Sequence, residues 1–228
     1  MRHPLIEGLL PPYAAGAEAR ADVGDDTLHP RERAAIAGVG EGRRREFTTV
    51  RHCARSALTA LGHAPAPLVP DARGVPSWPD GVVGSMTHCR GYRAAVVAHR
   101  RDVGAVGLDA EPSRPLREGV LHAVALPEER ERLAPLAASH PGLDCWDRLL
   151  FCAKEAVFKA WFPATRTELT FRDVAVVLDA AGRTFHATVL PAPGRDLPGR
   201  DAPGRTFHGR WLARDGLLVA VALAAGRL

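Results

Sequence analysis

Apolar residues recur at helical spacing between residues 146 and 163, the most strongly patterned stretch of the chain. Large rings at Phe151, Phe158 and Phe162 occupy much of the side opposite the main apolar stripe. A helix that is apolar around most of its circumference is buried on most of it, so we predict a central buried helix. The stripe consists of Trp146, Leu149, Leu150, Ala153, Val157, Ala160 and Trp161.

The middle of this predicted helix nevertheless carries Lys154, Glu155 and Lys159. Buried charges are costly unless they pair or meet a ligand or a metal ion. Glu155 and Lys159 have the spacing of an ordinary surface ion pair, but the surrounding rings favour a buried, functional interpretation. The two lysines are the only ones among the 30 Lys and Arg residues. Because lysine can release a proton and arginine does not, we expect them to perform a task that arginine cannot.

A short strand with two carboxylates precedes this helix. Residues 106–112 read VGLDAEP, and proline ends the strand. Alternation places Asp109 and Glu111 on one face, about 6.5 Å apart, and Leu108 and Ala110 on the other. Two such acids repel each other unless a cation lies between them. The pattern therefore indicates either an exposed edge with solvated acids or a Mg²⁺ site with Glu155 as third ligand.

The remaining pattern predicts helices and antiparallel strands. After an irregular lead-in with at most one short strand, two helices follow from Pro30, the second ending at Gly62. A hairpin, a polar helical segment and a four-stranded antiparallel sheet come next. Residues 127–133 should face solvent, and residues 191–205 should form a loop with nothing to bury. The hairpin is predicted at 82–88 and 92–99, the helical segment at 113–140, and the sheet at 174–178, 183–190, 206–213 and 217–223. This order indicates an α+β fold of two halves whose seam lies between residues 100 and 106.

Composition narrows the class of protein. A chain of 228 residues with 46% hydrophobic residues should fold, as one large or two small domains. No apolar run reaches the roughly 20 residues of a membrane span, and no signal core is visible at the start, so we expect a cytoplasmic protein. Four cysteines without CxxC spacing predict free thiols. A net charge of +4 and a pI near 9.2 indicate an anionic partner, which could be nucleic acid, a phosphorylated cofactor or an acidic protein.

Four blocks of the sequence resemble a known family. VGLDAEP at 106–112 and FCAKEAVFKAWFP at 151–163 are similar to the paired signatures of 4'-phosphopantetheinyl transferases. EFTTVRHCARSAL at 46–58 and WPDGVVGSMTHCRGYRAAVVA at 78–98 resemble the larger, two-halved class typified by surfactin-type and enterobactin-type enzymes. Their shared order and spacing make this resemblance more specific than one short motif.

The resemblance implies a reaction and a fold. In this family a serine of an apo acyl or peptidyl carrier protein attacks the β-phosphate of coenzyme A, and 3',5'-ADP leaves, with Mg²⁺ required and Mn²⁺ as a possible substitute. The implied fold has two similar α+β halves with antiparallel sheets related by a pseudo-two-fold axis. Residues 1–103 would hold the 3'-phosphate and adenine side of coenzyme A, and residues 104–228 the metal ligands and catalytic helix. We expect the active site at the seam, a monomer, and no nucleic-acid or membrane partner.

The family's catalytic residues correspond to residues of the strand and the helix. The resemblance implies that Asp109, Glu111 and Glu155 bind the metal, and that Lys159 contacts the pyrophosphate and stabilises the leaving phosphate. Glu155 is also the family's candidate for activating the serine. A metal-bound carboxylate is weakly basic, so a metal-bound water relaying the proton is the preferred alternative. Lys154 is expected to contact phosphate as well.

The family's coenzyme A contacts lie mainly upstream. Thr87 and His88 correspond to the pair that meets coenzyme A, with His88 facing the 3'-phosphate. Arg51, together with Arg43 or Arg44, corresponds to the basic residues that grip the same phosphate.

The sequence departs from the family pattern at two positions. Many relatives carry lysine where Val75 stands, and Arg73 is expected to replace that contact. Cys152 stands where serine is common, which should matter little on a packed helix. The carrier-docking surface is expected at residues 116–133, beside the site in chain order.

Two other classes of function remain as alternatives. A Mg²⁺-dependent phosphohydrolase or nuclease could use the same three carboxylates with a positioned water and no protein acceptor. A nucleic-acid-binding module would account for the basic pI, but it would leave Asp109, Glu111 and Glu155 unexplained.

Overall fold

The computed structural model describes residues 4–191 and 205–224. Short 3-10 helices form at Ile6–Leu9, Asp25–Thr27 and Phe171–Asp173. The helices are α1 (Pro30–Ala35), α2 (Glu41–Ala60), α3 (Val120–Val124), α4 (Pro127–Ser139) and α5 (Trp146–Thr165). The strands are β1 (Ala14–Ala19), β2 (Val82–Cys89), β3 (Tyr92–His99), β4 (Ala105–Pro112), β5 (Val174–Asp179), β6 (Thr184–Val189), β7 (Thr206–Arg214) and β8 (Leu217–Ala224). The predicted helices, hairpin and C-terminal strands are therefore confirmed within a few residues.

Two antiparallel sheets organise these elements. One has the strand order β1-β3-β2 and the other β4-β8-β7-β6-β5. A 20-residue helix packs on each sheet, α2 on the first and α5 on the second. The faces of the two sheets that point away from α2 and α5 contribute residues to one shared core. The Ile6–Leu9 helix also packs into this core. The predicted α+β class with antiparallel sheets is confirmed, whereas the division between residues 103 and 104 stays a prediction.

Side-chain hydroxyl groups join the two sheets where β2 lies beside β4. The Leu108 N–H donates to Ser85 Oγ at 3.0 Å, and the Ala110 N–H donates to Thr87 Oγ1 at 3.1 Å. These bonds satisfy buried backbone amides that a regular strand ladder would otherwise pair. The end of β2 is thereby held against the middle of β4.

Helix α5 approaches β4 unusually closely at Gly107. A Cβ atom at this glycine would lie 1.8 Å from the carbonyl oxygen of Ala156 and 2.7 Å from the amide nitrogen of Ala160. No side chain fits in that space, so only glycine permits the observed separation of helix and strand. As the pattern predicted, α5 is buried over most of its surface.

Several smaller predictions have definite outcomes. The four cysteines are free thiols, and Gly62 ends α2 with a φ of +89°. The expectation that residues 127–133 face solvent is wrong at Glu129, which is buried. Among the described residues, no helix is long and apolar enough to cross a membrane. The loop predicted at 191–205 falls almost entirely on residues 192–204, outside the described part of the chain.

Candidate active site

The face of β4 that carries acids is turned towards α5. Leu108 and Ala110 belong to the core on the opposite side of the sheet, so alternation directs Asp109 and Glu111 towards the helix. Asp109 is only 4% exposed and Glu111 is half-buried. The alternative of an exposed edge with two solvated acids is therefore wrong.

Asp109 is the centre of a small polar network. Lys159 Nζ donates to Asp109 Oδ1 at 2.6 Å, and the Thr87 hydroxyl donates to the same oxygen at 3.2 Å. Lys159 Nζ also lies 3.3 Å from Thr87 Oγ1. Within the described residues, Asp109 Oδ2 is buried and accepts no conventional hydrogen bond, although the buried Cys152 thiol interacts with the Asp109 carboxylate. An ionised oxygen buried without a partner is costly, and a bound cation would remove that cost.

The carboxylates perturb one another. Burial and the charge of Asp109 raise the pKa of Glu155, and the same two causes raise the pKa of Glu111. Burial acts to lower the pKa of Lys159, but attraction to Asp109 outweighs it and the pKa is raised. Lys159 therefore stays cationic beside acids that repel one another, an arrangement that favours binding of a further cation.

The residues present fit a hard divalent cation, although they are not assembled around one. Within residues 4–191 and 205–224, no three His, Cys, Asp or Glu side chains converge as a metal cage. The Lys159 ammonium is instead the cationic partner of Asp109. The buried Asp109 Oδ2 and the oxygen-only donor set of Asp109, Glu111 and Glu155 suit Mg²⁺ or Mn²⁺.

A pocket of about 570 Å³ opens beside this network, between α2, the loop at 73–76, β2 and α5. Its walls combine cationic or protonatable side chains with aromatic rings, which is a suitable lining for a phosphorylated ligand. We call it the basic pocket. The cationic and protonatable lining residues are Arg43, Arg51, Arg73, His88 and Lys159.

Arg51 is the most buried cation of the basic pocket. It is 7% exposed, its Nε donates to the Leu68 carbonyl at 3.2 Å, and its guanidinium lies over the ring of Phe47. Burial lowers its pKa to about 10, so it remains charged at neutral pH. In the described structure Nη1 and Nη2 have no hydrogen-bond partner, which leaves them available to an anion.

Arg43 and His88 form a second basic group in this pocket. Arg43 Nη1 lies 3.1 Å from His88 Nε2, and both side chains contact Glu46. Burial, followed by the positive charges of Arg43 and Lys159, lowers the pKa of His88 although Glu46 opposes the shift. Arg44 lies 3.8 Å from Asp25 and is absent from the pocket lining, so the geometry favours Arg43 over Arg44.

A second pocket of about 470 Å³ lies on the other side of Phe158. Glu155 and Phe158 line it together with mainly apolar residues that follow α5, and Phe158 also lines the basic pocket. We call it the apolar pocket. Its remaining lining residues are Ala123, Lys154, Leu169, Thr170, Phe171, Arg172 and Val174.

Comparison with known proteins shows which family this chain belongs to. Residues 31–98 match the 4'-phosphopantetheinyl transferase N-terminal domain, and residues 105–208 match the 4'-phosphopantetheinyl transferase superfamily. The chain belongs to the 4'-phosphopantetheinyl transferase superfamily. The family predicted from the four sequence blocks is confirmed.

Similarity to proteins named 4'-phosphopantetheinyl transferase extends over nearly the whole chain. It is 52% identical to 4'-phosphopantetheinyl transferase Svp of Streptomyces mobaraensis, over 97% of this chain and 90% of that protein. It is 45% identical to 4'-phosphopantetheinyl transferase Npt of Nocardia iowensis, over 96% of this chain and 100% of that protein. It is 47% identical to 4'-phosphopantetheinyl transferase PptT of Mycobacterium tuberculosis, over 92% of each chain.

Lys154 stands apart from the other site residues predicted for this phosphopantetheinyl transferase. It is 2% exposed, its Nζ pairs with Glu129 at 2.7 Å, and it donates to the carbonyls of Val124 and Phe171 at 3.0 and 2.8 Å. All three N–H groups thus have protein acceptors. The geometry gives Lys154 a structural role, and it does not support the phosphate contact that the resemblance implied.

The resemblance predicted that Arg73 replaces a lysine of the family, and in the structure Arg73 is engaged with other residues. It pairs with Glu168 at 2.7 Å, donates to the Arg166 carbonyl at 2.9 Å, and stacks over Phe162. Both Arg73 and Val75 line the basic pocket. Arg73 therefore contributes positive charge to the pocket mouth while tying two loops together.

Sequence reasoning missed two polar residues of this phosphopantetheinyl transferase site. Arg148 donates to Glu111 at 2.8 Å, and Glu46 contacts both Arg43 and His88. Nothing in their spacing distinguishes them from surface charges. Only the chain's folding, which brings α5 against β4 and α2 against β2, reveals their partners.

Proposed function

We propose that this chain is a Mg²⁺-dependent 4'-phosphopantetheinyl transferase. It moves the phosphopantetheine arm of coenzyme A onto a serine of an apo acyl or peptidyl carrier protein and releases 3',5'-ADP. One observation carries the proposal: Lys159, which is hydrogen bonded to Asp109, lines the basic pocket, and Glu155, four residues earlier on α5, lines the apolar pocket. A ligand with a phosphorylated nucleotide at one end and a thiol-bearing arm at the other matches that arrangement.

The basic pocket is proposed to hold the nucleotide end of coenzyme A. Its volume of about 570 Å³ lies in the usual range for small-molecule sites. Arg51, Arg43 and His88 would bind the 3'-phosphate through charge-assisted hydrogen bonds. Thr87, at the junction of the two sheets, would lie beside the pyrophosphate.

The apolar pocket is proposed to hold the pantetheine arm. It is lined by Leu169 and Phe171 and reaches Glu155. Binding the two ends of coenzyme A in the two pockets would leave the pyrophosphate between them, beside Glu155 and Lys159. Proximity of this kind lowers the barrier because the reacting groups are already aligned.

The residues around the pyrophosphate have distinct proposed tasks. Bound Mg²⁺, held by Asp109, Glu111 and Glu155, would supply charge neutralisation for the pyrophosphate oxygens. Lys159 would stabilise negative charge on the departing phosphate, since attraction to Asp109 keeps its pKa high. As the serine oxygen bonds to the β-phosphorus and the bond to the leaving phosphate breaks, the serine proton passes to Glu155 directly or through a water. Because coordination to a cation weakens a carboxylate as a base, transfer through a water is the preferred route.

Further properties belong to the same proposal. Mn²⁺ should replace Mg²⁺, because both take oxygen ligands. Four free thiols, three of them buried, are consistent with a reducing, cytoplasmic location. We propose that the enzyme acts as a monomer, that carriers dock on residues 116–133, and that neither nucleic acid nor membrane is a partner.

Intact-mass analysis of an apo carrier protein tests the proposal. The purified enzyme, coenzyme A and Mg²⁺ should increase the carrier's mass by one phosphopantetheine group, and chelation of the metal should stop the reaction. Asp109→Ala should lower the rate by about 100-fold or more, because it removes both a metal ligand and the partner of Lys159. Asp144→Asn, which changes an exposed acid of the same half, should react normally.

The same assay distinguishes a transferase from the alternative, a phosphohydrolase. An unmodified carrier together with free phosphopantetheine would indicate a phosphohydrolase and overturn the transferase proposal. The transferase is favoured over the phosphohydrolase because the relatives that match over nearly the whole chain carry the name 4'-phosphopantetheinyl transferase.

A further inference from the structure

Arg148 uses every nitrogen of its guanidinium to hold the region just after β4. Nη1 donates to Glu111 Oε2 at 2.8 Å, Nε donates to the Arg114 carbonyl at 2.9 Å, and Nη2 donates to the Pro115 carbonyl at 3.0 Å. The side chain is 14% exposed. A planar guanidinium with three acceptors at fixed positions has little freedom to rotate.

The backbone around Arg148 is held as firmly as its side chain. Asp147 Oδ2 accepts from the Leu116 N–H at 2.8 Å, and Asp147 Oδ1 accepts from the Arg148 N–H at 2.7 Å. The Ser113 N–H donates to the Gly216 carbonyl at 2.9 Å. The segment after β4 is therefore joined to the first turn of α5, and the guanidinium is fixed relative to Glu111.

The two carboxylate oxygens of Glu111 have different hydrogen-bond surroundings. Oε2 is occupied by Arg148, whereas Oε1 has no hydrogen-bond partner in the described part of the chain. Glu111 lies on the same face of β4 as Asp109, whose Oδ2 accepts no conventional hydrogen bond from the residues that the structure describes. The guanidinium engages one lone pair of Oε2 and partly neutralises its charge, so Oε1 is the stronger of the two ligands for a cation.

The number of oxygens offered matters for the choice of metal. Mg²⁺ demands near-ideal octahedral geometry and is bound through one or two carboxylates plus substrate phosphates. Ca²⁺ is larger, takes six to eight oxygens and readily accepts both oxygens of one carboxylate. Freeing Glu111 Oε2 would therefore add a ligand that Ca²⁺ can use and Mg²⁺ cannot.

We propose that Arg148 is a positioning residue that restricts Glu111 to one coordinating oxygen and thereby favours Mg²⁺ over Ca²⁺ at the acid cluster. This inference rests on the proposed function, since it assumes that the three acids hold the metal. Arg148 acts through Glu111 and touches neither metal nor substrate.

Direct metal binding tests the inference without reference to activity. The affinity of Mn²⁺ is measured by electron paramagnetic resonance with saturating coenzyme A, and Mg²⁺ and Ca²⁺ are measured by competition. Arg148→Gln should change the ratio of Ca²⁺ to Mg²⁺ affinity about tenfold in favour of Ca²⁺, the scale typical of residues that orient metal ligands. Arg117→Gln, which removes an exposed arginine of the same segment, should leave the ratio unchanged. An unchanged ratio in Arg148→Gln overturns the inference.

Two further comparisons separate the geometry of Arg148 from its charge and test whether its effect passes through Glu111. Arg148→Lys keeps the charge but cannot reach all three acceptors, so it should shift the ratio as Arg148→Gln does; a wild-type ratio would show that charge alone matters and would overturn the inference. In a Glu111→Ala background, Arg148→Gln should produce no additional shift, because the effect passes through Glu111. An equal shift in that background also overturns the inference.

The metal assignment itself has a separate readout. Asp109→Ala should abolish Mn²⁺ binding in the same experiment. Undiminished Mn²⁺ binding by Asp109→Ala would overturn the proposed metal site and, with it, the role of Arg148. Abolished binding in Asp109→Ala with an unchanged ratio in Arg148→Gln would overturn the role of Arg148 alone.

Discussion

The two lysines of α5 illustrate how one residue type serves two purposes. Lys154 directs its three N–H groups to one carboxylate and two backbone carbonyls that belong to different segments. A compact ammonium can satisfy acceptors in three directions, whereas the planar fork of arginine cannot. Lys159 instead meets Asp109 and Thr87 at the edge of the basic pocket. The geometry gives Lys154 a task that arginine cannot perform, whereas for Lys159, at the proposed reaction centre, that expectation stays a prediction.

Replacing the Glu155 carboxylate should raise the stability of the fold and lower the transfer activity. Glu155→Gln removes a desolvated charge next to Asp109, so we expect transfer to fall about 100-fold or more and the thermal midpoint to rise. Because folding raises the pKa of Glu155, this group contributes stability below its unfolded pKa and loses that contribution as pH rises through its folded pKa. The gain from Glu155→Gln should thus be largest near neutral pH and vanish in acid.

Thermal denaturation without metal, as a function of pH, checks this prediction. Glu118→Gln, at an exposed position, should not change the midpoint at any pH. A lower midpoint for Glu155→Gln at neutral pH would show that the carboxylate stabilises the fold, contrary to expectation.

The elements β4 and α5 position the acids relative to Lys159. Gly107 sets their separation, since a Cβ there would collide with the backbone of Ala156 and Ala160. Asp109 and Glu111 follow Gly107 along β4, and Lys159 lies next to Ala160 on α5. A small change in the distance between the elements would therefore alter the whole cluster.

Gly107→Ala should push α5 away from β4. We expect a loss of about 1–3 kcal/mol in the free energy of unfolding from overpacking, and a drop in kcat on the order of 100-fold from misplaced groups. Denaturant titration and steady-state transfer assays measure the two effects. Gly42→Ala in α2, where a Cβ meets open space, is the matched control and should retain both stability and activity. Normal activity in Gly107→Ala would show that close packing of the two elements is not required.

At the scale of the whole molecule, the basic pocket exists because the two sheets are joined at β2 and β4. Helix α2 and strand β2 contribute Arg43, Arg51 and His88, while α5 contributes Lys159. The hydroxyls of Ser85 and Thr87 complete the junction by accepting from β4. In the proposed function, the contacts to the 3'-phosphate and the acid cluster lie on different elements that this junction brings together.

Arg51→Ala should separate recognition from chemistry. We expect the KM for coenzyme A to rise about 10-fold or more, because a charge-assisted contact to the 3'-phosphate is lost, while the kinetics with dephospho-coenzyme A change little. Steady-state assays with both substrates measure the preference. Arg44→Ala, which lies outside the pocket and near Asp25, should keep the wild-type preference. An intact preference in Arg51→Ala would place the 3'-phosphate contact elsewhere.

Much of this protein could be predicted from its sequence, because local patterns carry the information. The period of apolar residues indicated α5, the alternation in β4 oriented Asp109 and Glu111, and Gly62 marked the end of α2. Each of these depends on residues within a few positions of one another, where periodicity and backbone preference decide the outcome. The four family blocks added the expected chemistry.

Only the tertiary structure decided which charged residues meet. Glu129 looked solvent-facing in its own segment, yet it pairs with Lys154; Arg148 has no local signal, yet it holds Glu111. The choice of Arg43 over Arg44 likewise depends on where β2 lies relative to α2. The physical reason is that periodicity reports only which face of a single helix or strand a side chain occupies. An ion pair between two elements depends instead on how segments distant in sequence pack together.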